Sequence, residues 1–200
     1  MKAEDIRIVH RGSYLCMYEI DYITESGRKK TYEMVSRQGC TALGLPDLTL
    51  ATIGKKLTGV VLCVFNETED KILLTNEFRL GVNRNVVGNV AGLVDKVESI
   101  KEACRRELKE ETNLDISSWL NVFDPTFTSA PITDDITQLV VCRATGELGE
   151  SDSDLEEVNA DWYTKDEVRA MLKSTEYVFS SRTQIICQAW VQGVSFGGLC

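Results

Sequence analysis

Apolar and polar positions alternate and cluster in a way that marks out successive elements along the chain. Tyr14-Leu15-Cys16-Met17-Tyr18-Glu19-Ile20-Asp21-Tyr22 is rich in strand formers, Glu25-Ser26-Gly27 supplies a turn, and Lys30-Thr31-Tyr32-Glu33-Met34-Val35 returns as a second strand. Residues 40–54, punctuated by Gly44, Pro46 and Gly54, read as a connector. Residues 58–65 (TGVVLCVF) form a short unbroken apolar run suited to a buried strand. A polar turn at 66–70 leads into a partner strand at 71–79. The period then changes to that of a helix from Ser99 to Thr112, with Ser99 as N-cap and Ala103 and Leu108 on one side of a charged segment. Another strand is expected at 137–144. A helix with a capping-box start is expected from Thr164 to about Lys173, and a last helix over 181–191. Interleaved strands and helices predict an α/β (α+β) chain, with a mixed sheet sandwiched between helices and a small N-terminal antiparallel β extension. We divide it at 1–54, the extension and connector, and 55–200, the main domain.

Composition narrows the class of function. The apolar fraction of 43% is enough for a packed core. The formal net charge of -9 argues against non-specific binding to nucleic acid or to an anionic membrane surface. The first residues carry Lys2, Glu4, Asp5 and Arg7 with no apolar run behind them, and no stretch approaches the ~20 apolar residues of a membrane span. The 7 cysteines, at 16, 40, 63, 104, 142, 187 and 200, form no Cys-x-x-Cys pair and read as reduced thiols packed as small hydrophobes. A cytoplasmic protein is expected. His10, the lone histidine, has no partner motif and is given no role.

The chemistry concentrates in the segment from Gly92 to Leu114, GLVDKVESIKEACRRELKEETNL. Glu107, Glu110 and Glu111 fall at i, i+3 and i+4, sharing one helix face with Cβ atoms roughly 5–6 Å apart. Like charges there repel, and helix propensity gives no reason to gather them. A bound hard cation turns the repulsion into coordination, because carboxylate oxygens are the natural ligands of Mg2+ or Mn2+. Arg106 stands beside them, placed to orient one carboxylate and hold its pKa low. On spacing alone, a solvated acidic face flanked by Lys101, Arg105 and Lys109 accounts for the same residues.

The wider spacing decides between the two. Gly92 is followed by Glu98, then by Arg106-Glu107-Leu108 and Glu110-Glu111, at the intervals of G-x5-E-x7-R-E-U-x-E-E-x-G-U, where U is aliphatic. The segment therefore resembles the Nudix box, with every charged position filled and Leu108 and Leu114 at the aliphatic ones. Asn113 stands where the family has Gly, and Asn is the next most tolerant residue of a left-handed helix end.

The resemblance extends to most of the chain, and there it is closest to the ADP-ribose pyrophosphatase branch of that family. Glu77-Phe78-Arg79 resembles that branch's Gln-aromatic-Arg strand end. Tyr32-Glu33-Met34-Val35-Ser36-Arg37 is similar to its N-terminal strand, where an aromatic stacks on adenine and a basic residue meets phosphate. Ser129-Ala130-Pro131-Ile132-Thr133-Asp134-Asp135 resembles its S-P-G-x-x-[DE]-E loop, whose last acid helps activate water. Each of these also has a plain reading: Arg79 as an exposed strand-end cation, Tyr32 as strand packing, Asp134 and Asp135 as turn formers. One departure bears on substrate. The branch has Glu-aromatic-Pro-Ala-Gly before the box, and this chain has Gly88-Asn89-Val90-Ala91-Gly92, without the Glu and the Pro.

The resemblance implies a Nudix fold and a hydrolase that uses Mg2+ or Mn2+ to cleave a nucleoside diphosphate derivative, with ADP-ribose giving AMP and ribose 5-phosphate. It implies metal ligation by Glu107, Glu110, Glu111 and the Ala91 carbonyl, with Gly92, Glu98 and Arg106 supporting the box. It places Arg79, Arg37 and Tyr32 on the substrate, and Asp135, with Asp134 and Glu111, in catalysis. A small-molecule nucleotide is the implied partner, and a homodimer is expected because relatives exchange the N-terminal hairpin between subunits. Two alternatives stand open: a hydrolase for another nucleotide sugar or a dinucleotide, and a domain that binds ADP-ribose without cutting it. The complete set of glutamates weighs against the second.

Overall fold

The apolar run that the sequence marks as a buried strand is covered on both of its faces, and one of the chain's two units is built around it. The computed structural model describes residues 1–95, 97–149 and 158–197. Its strands and helices, in chain order, are β1 (Lys2–Arg11), β2 (Cys16–Ile23), β3 (Lys29–Ser36), β4 (Leu57–Phe65), β5 (Lys71–Arg79), β6 (Arg84–Gly88), β7 (Val90–Leu93), α1 (Ile100–Thr112), β8 (Asp115–Val122), β9 (Thr126–Phe127), β10 (Ile136–Thr145), β11 (Val158–Thr164), α2 (Lys165–Met171) and α3 (Ser181–Val191). They fall into two units: Met1–Thr58 with Pro125–Thr137, and Gly59–Asp124 with Gln138–Cys200.

In the second unit the strands lie in the order β11-β5-β4-β10-β8, with β6 paired to β5 and β7 to β4. The period of two along β4 assigns its faces. Val60, Leu62 and Val64 pack with Val140 and Cys142 of β10 and with Ala103, Cys104 and Leu108 of α1. Cys63 and Phe65 point the other way, to Val168 and Met171 of α2 and Ile186, Cys187 and Trp190 of α3. The expected mixed sheet between helices is therefore present. α2 starts at the expected capping box, with the Thr164 side chain and Glu167 bonded reciprocally, and it ends at Met171, a little short of the sequence reading. Burial pushes the thiols of Cys104, Cys142 and Cys187 up to about 12. Cys16, Cys40, Cys63, Cys104, Cys142 and Cys187 are free and buried, as reduced thiols packed like small hydrophobes would be; Cys200 lies outside the described residues.

The first unit holds the antiparallel sheet β1-β2-β3. The expected hairpin is two of its strands; β1 is the addition. Register shifts between Ala3 and Asp5 and between Ile8 and His10 interrupt the alternation of β1, which hides Ala3, Ile6 and Ile8 from a period-two reading although they share one inner face. The connector after β3 is tied back to this sheet. The buried Tyr18 hydroxyl donates to the Gln38 carbonyl (2.9 Å) and accepts from the Leu48 amide (3.0 Å), while Arg11 pairs with Asp47 (2.7 Å) and donates to the Gly39 carbonyl. Residues 125–137 add a short hairpin in which β9 pairs with the start of β10. Among the described residues no helix is long and apolar enough to cross a membrane.

The side of α1 opposite its charges is what docks the helix on the sheet, so Leu108, fully buried between them, is the residue to test. Leu108→Ala is expected to lower unfolding free energy by about 2–5 kcal/mol in a urea titration, the range for a truncated core leucine.

Candidate functional site

The helix that carries the acidic residues has well-defined ends. At its start Ser99 and Glu102 form a capping box: the Ser99 amide donates to Glu102 Oε2 (2.7 Å) and the Glu102 amide to Ser99 Oγ (3.3 Å). At its end Asn113 takes the left-handed conformation expected of it (φ 59°) and its amide closes on the Lys109 carbonyl. Thr112 returns its hydroxyl to the Leu108 carbonyl (2.6 Å).

Arg106 organises the acidic side. Its Nε and Nη2 reach Glu98 Oε2 (3.2 Å) and Oε1 (2.6 Å), and Nη2 also donates to the Leu93 carbonyl (2.9 Å). Nη1 reaches Glu107 Oε1 (2.8 Å) and Glu110 Oε2 (3.2 Å). One planar guanidinium thus joins the loop before α1, the end of β7 and two turns of α1. Glu98 in turn accepts from the Asp95 amide (2.8 Å), which folds the connecting loop.

Gly92 explains its own identity. A Cβ built on it would lie 1.8 Å from Glu107 Cδ and about as close to both carboxylate oxygens. The Glu107 carboxylate therefore occupies space that only a residue without a side chain leaves open. Ala91, one residue earlier, pairs with Val61 of β4.

The electrostatics separate the two carboxylates that Arg106 holds. Hydrogen bonding to Arg106 lowers the pKa of Glu98, which lies outside the three helix carboxylates for which that effect was expected. Glu107 goes the other way: burial raises its pKa, Arg106 opposes the rise, and the charges of Glu110 and Glu98 add to it. The flanking cations do not neutralise this face. Lys109 is engaged by the Asn113 carbonyl (2.9 Å) and Asp115 (3.0 Å), and Lys101 and Arg105 lie over the Trp119 ring at 5.4 and 5.1 Å. Glu111 follows on α1, half-buried. Among the described residues no three His, Cys, Asp or Glu side chains are gathered to hold a metal ion. Glu107 and Glu110 are both turned to Arg106. The donor chemistry nevertheless fits a hard dication: all the candidate ligands are oxygens, and Glu98, Glu107 and Glu110 share a single guanidinium.

In the first unit two stretches that the sequence offered separately, 32–37 and 129–135, are in contact. The Val35 amide donates to the Ile132 carbonyl (2.9 Å), and the Tyr32 hydroxyl donates to the Pro131 carbonyl. Arg37 Nε stands 3.6 Å from Asp135 Oδ2. Lys30 Nζ lies 5.7 Å from the Tyr32 ring centroid. Neighbouring acids have different surroundings. Asp134 is buried and accepts from Gln38 Nε2 (3.1 Å), an uncharged donor that no motif pointed to. Asp135 has its pKa raised, by burial first, with Arg37 pulling it down and Asp134 pushing it up; its Oδ1 is buried without a hydrogen-bond partner. In the second unit Arg79 ends β5, half-exposed, with Nη2 2.7 Å from Glu77 Oε2 on the same face of the strand.

A model of the NUDIX domain matches residues 55–182. The chain is 30% identical over 140 residues to the ADP-ribose pyrophosphatase of Saccharomyces cerevisiae, a match covering 64% of this chain. It spans 57% of that relative's length. Its fold is similar to that of a solved structure described as an ADP compounds hydrolase, with a TM-score of 0.67 and 18% identity, covering 96% of this chain and 94% of the other.

The close approach at Gly92 generates a specific expectation. Gly92→Ala displaces the Glu107 carboxyl, and Mn2+ affinity, followed by the EPR signal of free Mn2+, should fall at least about tenfold. The circular dichroism spectrum should stay that of the folded chain. Unchanged Mn2+ affinity would separate this contact from metal binding.

Proposed function

The chain belongs to the Nudix family, and we propose that it hydrolyses the pyrophosphate bond of a nucleoside diphosphate derivative with Mg2+ or Mn2+, converting ADP-ribose to AMP and ribose 5-phosphate. The observation that carries this reading is the Glu107 carboxylate, set in the gap at Gly92 and sharing the one Arg106 guanidinium with Glu98 and Glu110. The S. cerevisiae relative, an ADP-ribose pyrophosphatase by name, supports the substrate.

Glu107 and Glu111, with Glu110 and the Ala91 carbonyl, would hold the metal. When bound, it neutralises the diphosphate and lowers the pKa of the attacking water. Arg106 and Glu98 keep Glu107 in place rather than touching substrate. Arg79 and Arg37 bind phosphate oxygens, for which a guanidinium fork is well shaped. Tyr32 stacks on the base. Asp135 takes the proton from water; burial, a raised pKa and an oxygen without a partner suit a proton acceptor better than the Gln38-bound Asp134, which shapes the loop. We also propose that the chain works as a homodimer. A second reading, hydrolysis of another nucleotide sugar or a dinucleotide, is favoured by one feature, the Gly88-Asn89-Val90 that replaces the branch's Glu and Pro.

A panel of nucleoside diphosphate derivatives, assayed for phosphatase-coupled phosphate release with Mg2+ and then with chelator, tests the substrate. ADP-ribose should lead, and the chelator should abolish activity. Tight ADP-ribose binding with no hydrolysis of any compound would replace this reading by that of a binding domain. Glu111→Gln should lose several orders of magnitude in kcat while remaining folded, as expected for a metal ligand. Asp135→Asn should lose about 10²–10⁴-fold, the range for a general base. Because the Asp135 pKa is raised, the carboxyl protonates at higher pH than an ordinary Asp, so activity should fall on acidification from a point above the usual 3.8. That acid limb should vanish in the residual activity of Asp135→Asn.

A further inference from the structure

Asn89 lies between β6 and β7, two residues before Ala91 and three before Gly92. Its side chain is almost wholly buried, with 5% of the residue exposed, and Oδ1 accepts from the Thr183 hydroxyl at 2.7 Å. Thr183, 1% exposed, belongs to the first turn of α3. Its hydroxyl also lies 2.7 Å from Ser180 Oγ, the side chain that caps that helix. The backbone just before Asn89 is fixed to the same place. The Val87 amide donates to the Val178 carbonyl (2.7 Å), and its carbonyl accepts from the Ser180 amide (2.9 Å), making a short parallel bridge between Val87 and Phe179.

The two sides of residues 87–93 are thus held by different elements. Residues 87–89 are anchored on the entry to α3, and residues 90–93 pair with β4. At the end of this strand Gly92 faces the Glu107 carboxylate, and the Leu93 carbonyl accepts from Arg106. Asn89 Nδ2 is buried without a partner, which costs about 1–3 kcal/mol. An apolar residue at this position would avoid that cost but could not accept from Thr183.

We infer that Asn89 and Thr183 act as a pair of positioning residues, using α3 to fix the strand that presents the Ala91 carbonyl and the Gly92 gap to the metal. The inference rests on the proposed metal-dependent function. It assigns a task to α3 that no motif of the box carries.

The test compares Thr183→Val, Thr183→Ser and Asn89→Ala in the full chain, each with Mn2+ binding by EPR, the Mg2+ dependence of kcat and KM, and the thermal midpoint. Thr183→Val and Asn89→Ala should weaken Mn2+ binding by about 10–100-fold, the range for outer partners of metal ligands. Their rates should largely recover at saturating Mg2+. Thr183→Ser, which keeps the hydroxyl, should bind Mn2+ as the unaltered chain does. Combining Thr183→Val with Asn89→Ala should do little more than either alone. A lower thermal midpoint with unchanged Mn2+ affinity would overturn the inference and leave a purely structural contact. If Asn89→Ala fails to fold, the contrast between Thr183→Val and Thr183→Ser decides. An unaltered chain that binds no Mn2+ would instead overturn the metal-dependent reading itself, and this inference with it.

Discussion

Carboxylates crowded on one side of a helix repel, and the second unit is arranged around tolerating that repulsion. Two unit charges ~6 Å apart at an effective dielectric of ~20 oppose each other by roughly 3 kcal/mol before salt screening. Glu98, Glu107 and Glu110 all converge on the guanidinium of Arg106, and Glu111 follows on the same helix. One cation cannot balance these charges, and the neighbouring Lys101, Arg105 and Lys109 are committed to Trp119 and Asp115. The consequence is visible at Glu107, where burial and like charges outweigh a 2.8 Å hydrogen bond to arginine and raise the pKa. The arrangement is stable enough to fold because Leu108 and its neighbours pack the other side of the helix. The acidic side keeps an excess of carboxylates over the one guanidinium they share, which is what the proposed metal binding rests on.

Backbone geometry supplies the rest of this site. The Glu107 carboxylate needs the empty space at Gly92, so the strand carrying Gly92 must lie at a fixed distance from α1. Pairing with β4, the Leu93 carbonyl bonded to Arg106, and the Asn89 contact to α3 each restrain that strand from a different side. The first unit shows the same economy on a smaller scale. Adjacent acids are given unlike partners, an amide for Asp134 and a distant guanidinium for Asp135, and Asp135 keeps a buried oxygen without a hydrogen bond. Two residues of one type thus stand side by side in different surroundings.

Much of this was legible in the chain of letters, for physical reasons that differ by element. The strands 58–65 and 71–79 and the helices starting after Ser99, Thr164 and Ser180 follow from continuous burial and from caps, both local signals. The left-handed Asn113 followed from what the end of a helix demands. β1, β8 and β11 were not legible. Register shifts break the alternation of β1 and of the β8 pairing with β10, while β6 and β7 are too short to show a period. At the site, the acidic face could be read from spacing alone. The contact between 32–37 and 129–135 could not, because it joins residues almost a hundred positions apart. Gln38, Asn89 and Thr183 left no mark, since a buried amide or hydroxyl looks like any other until its partner is known.

The same contrast explains why the family is clearer than the substrate. Neutralising a diphosphate depends on charge at fixed spacing, and every candidate substrate presents that group, so the proposed chemistry rests on one helix and one glycine. Discrimination between substrates depends on polar groups matched to the base and to whatever lies beyond the second phosphate. The residues proposed for that task, Tyr32, Arg37 and Arg79, come from separate strands and have individually weak signals. Tyr32 and Arg37 both contact the 129–135 loop, through the Pro131 carbonyl and Asp135. Departures at 88–90 weigh less against the box than their number suggests. The position next to it, Ala91, is proposed to contribute only its backbone carbonyl, and the Val87 backbone and the Asn89 side chain are bonded to residues at the entry and in the first turn of α3.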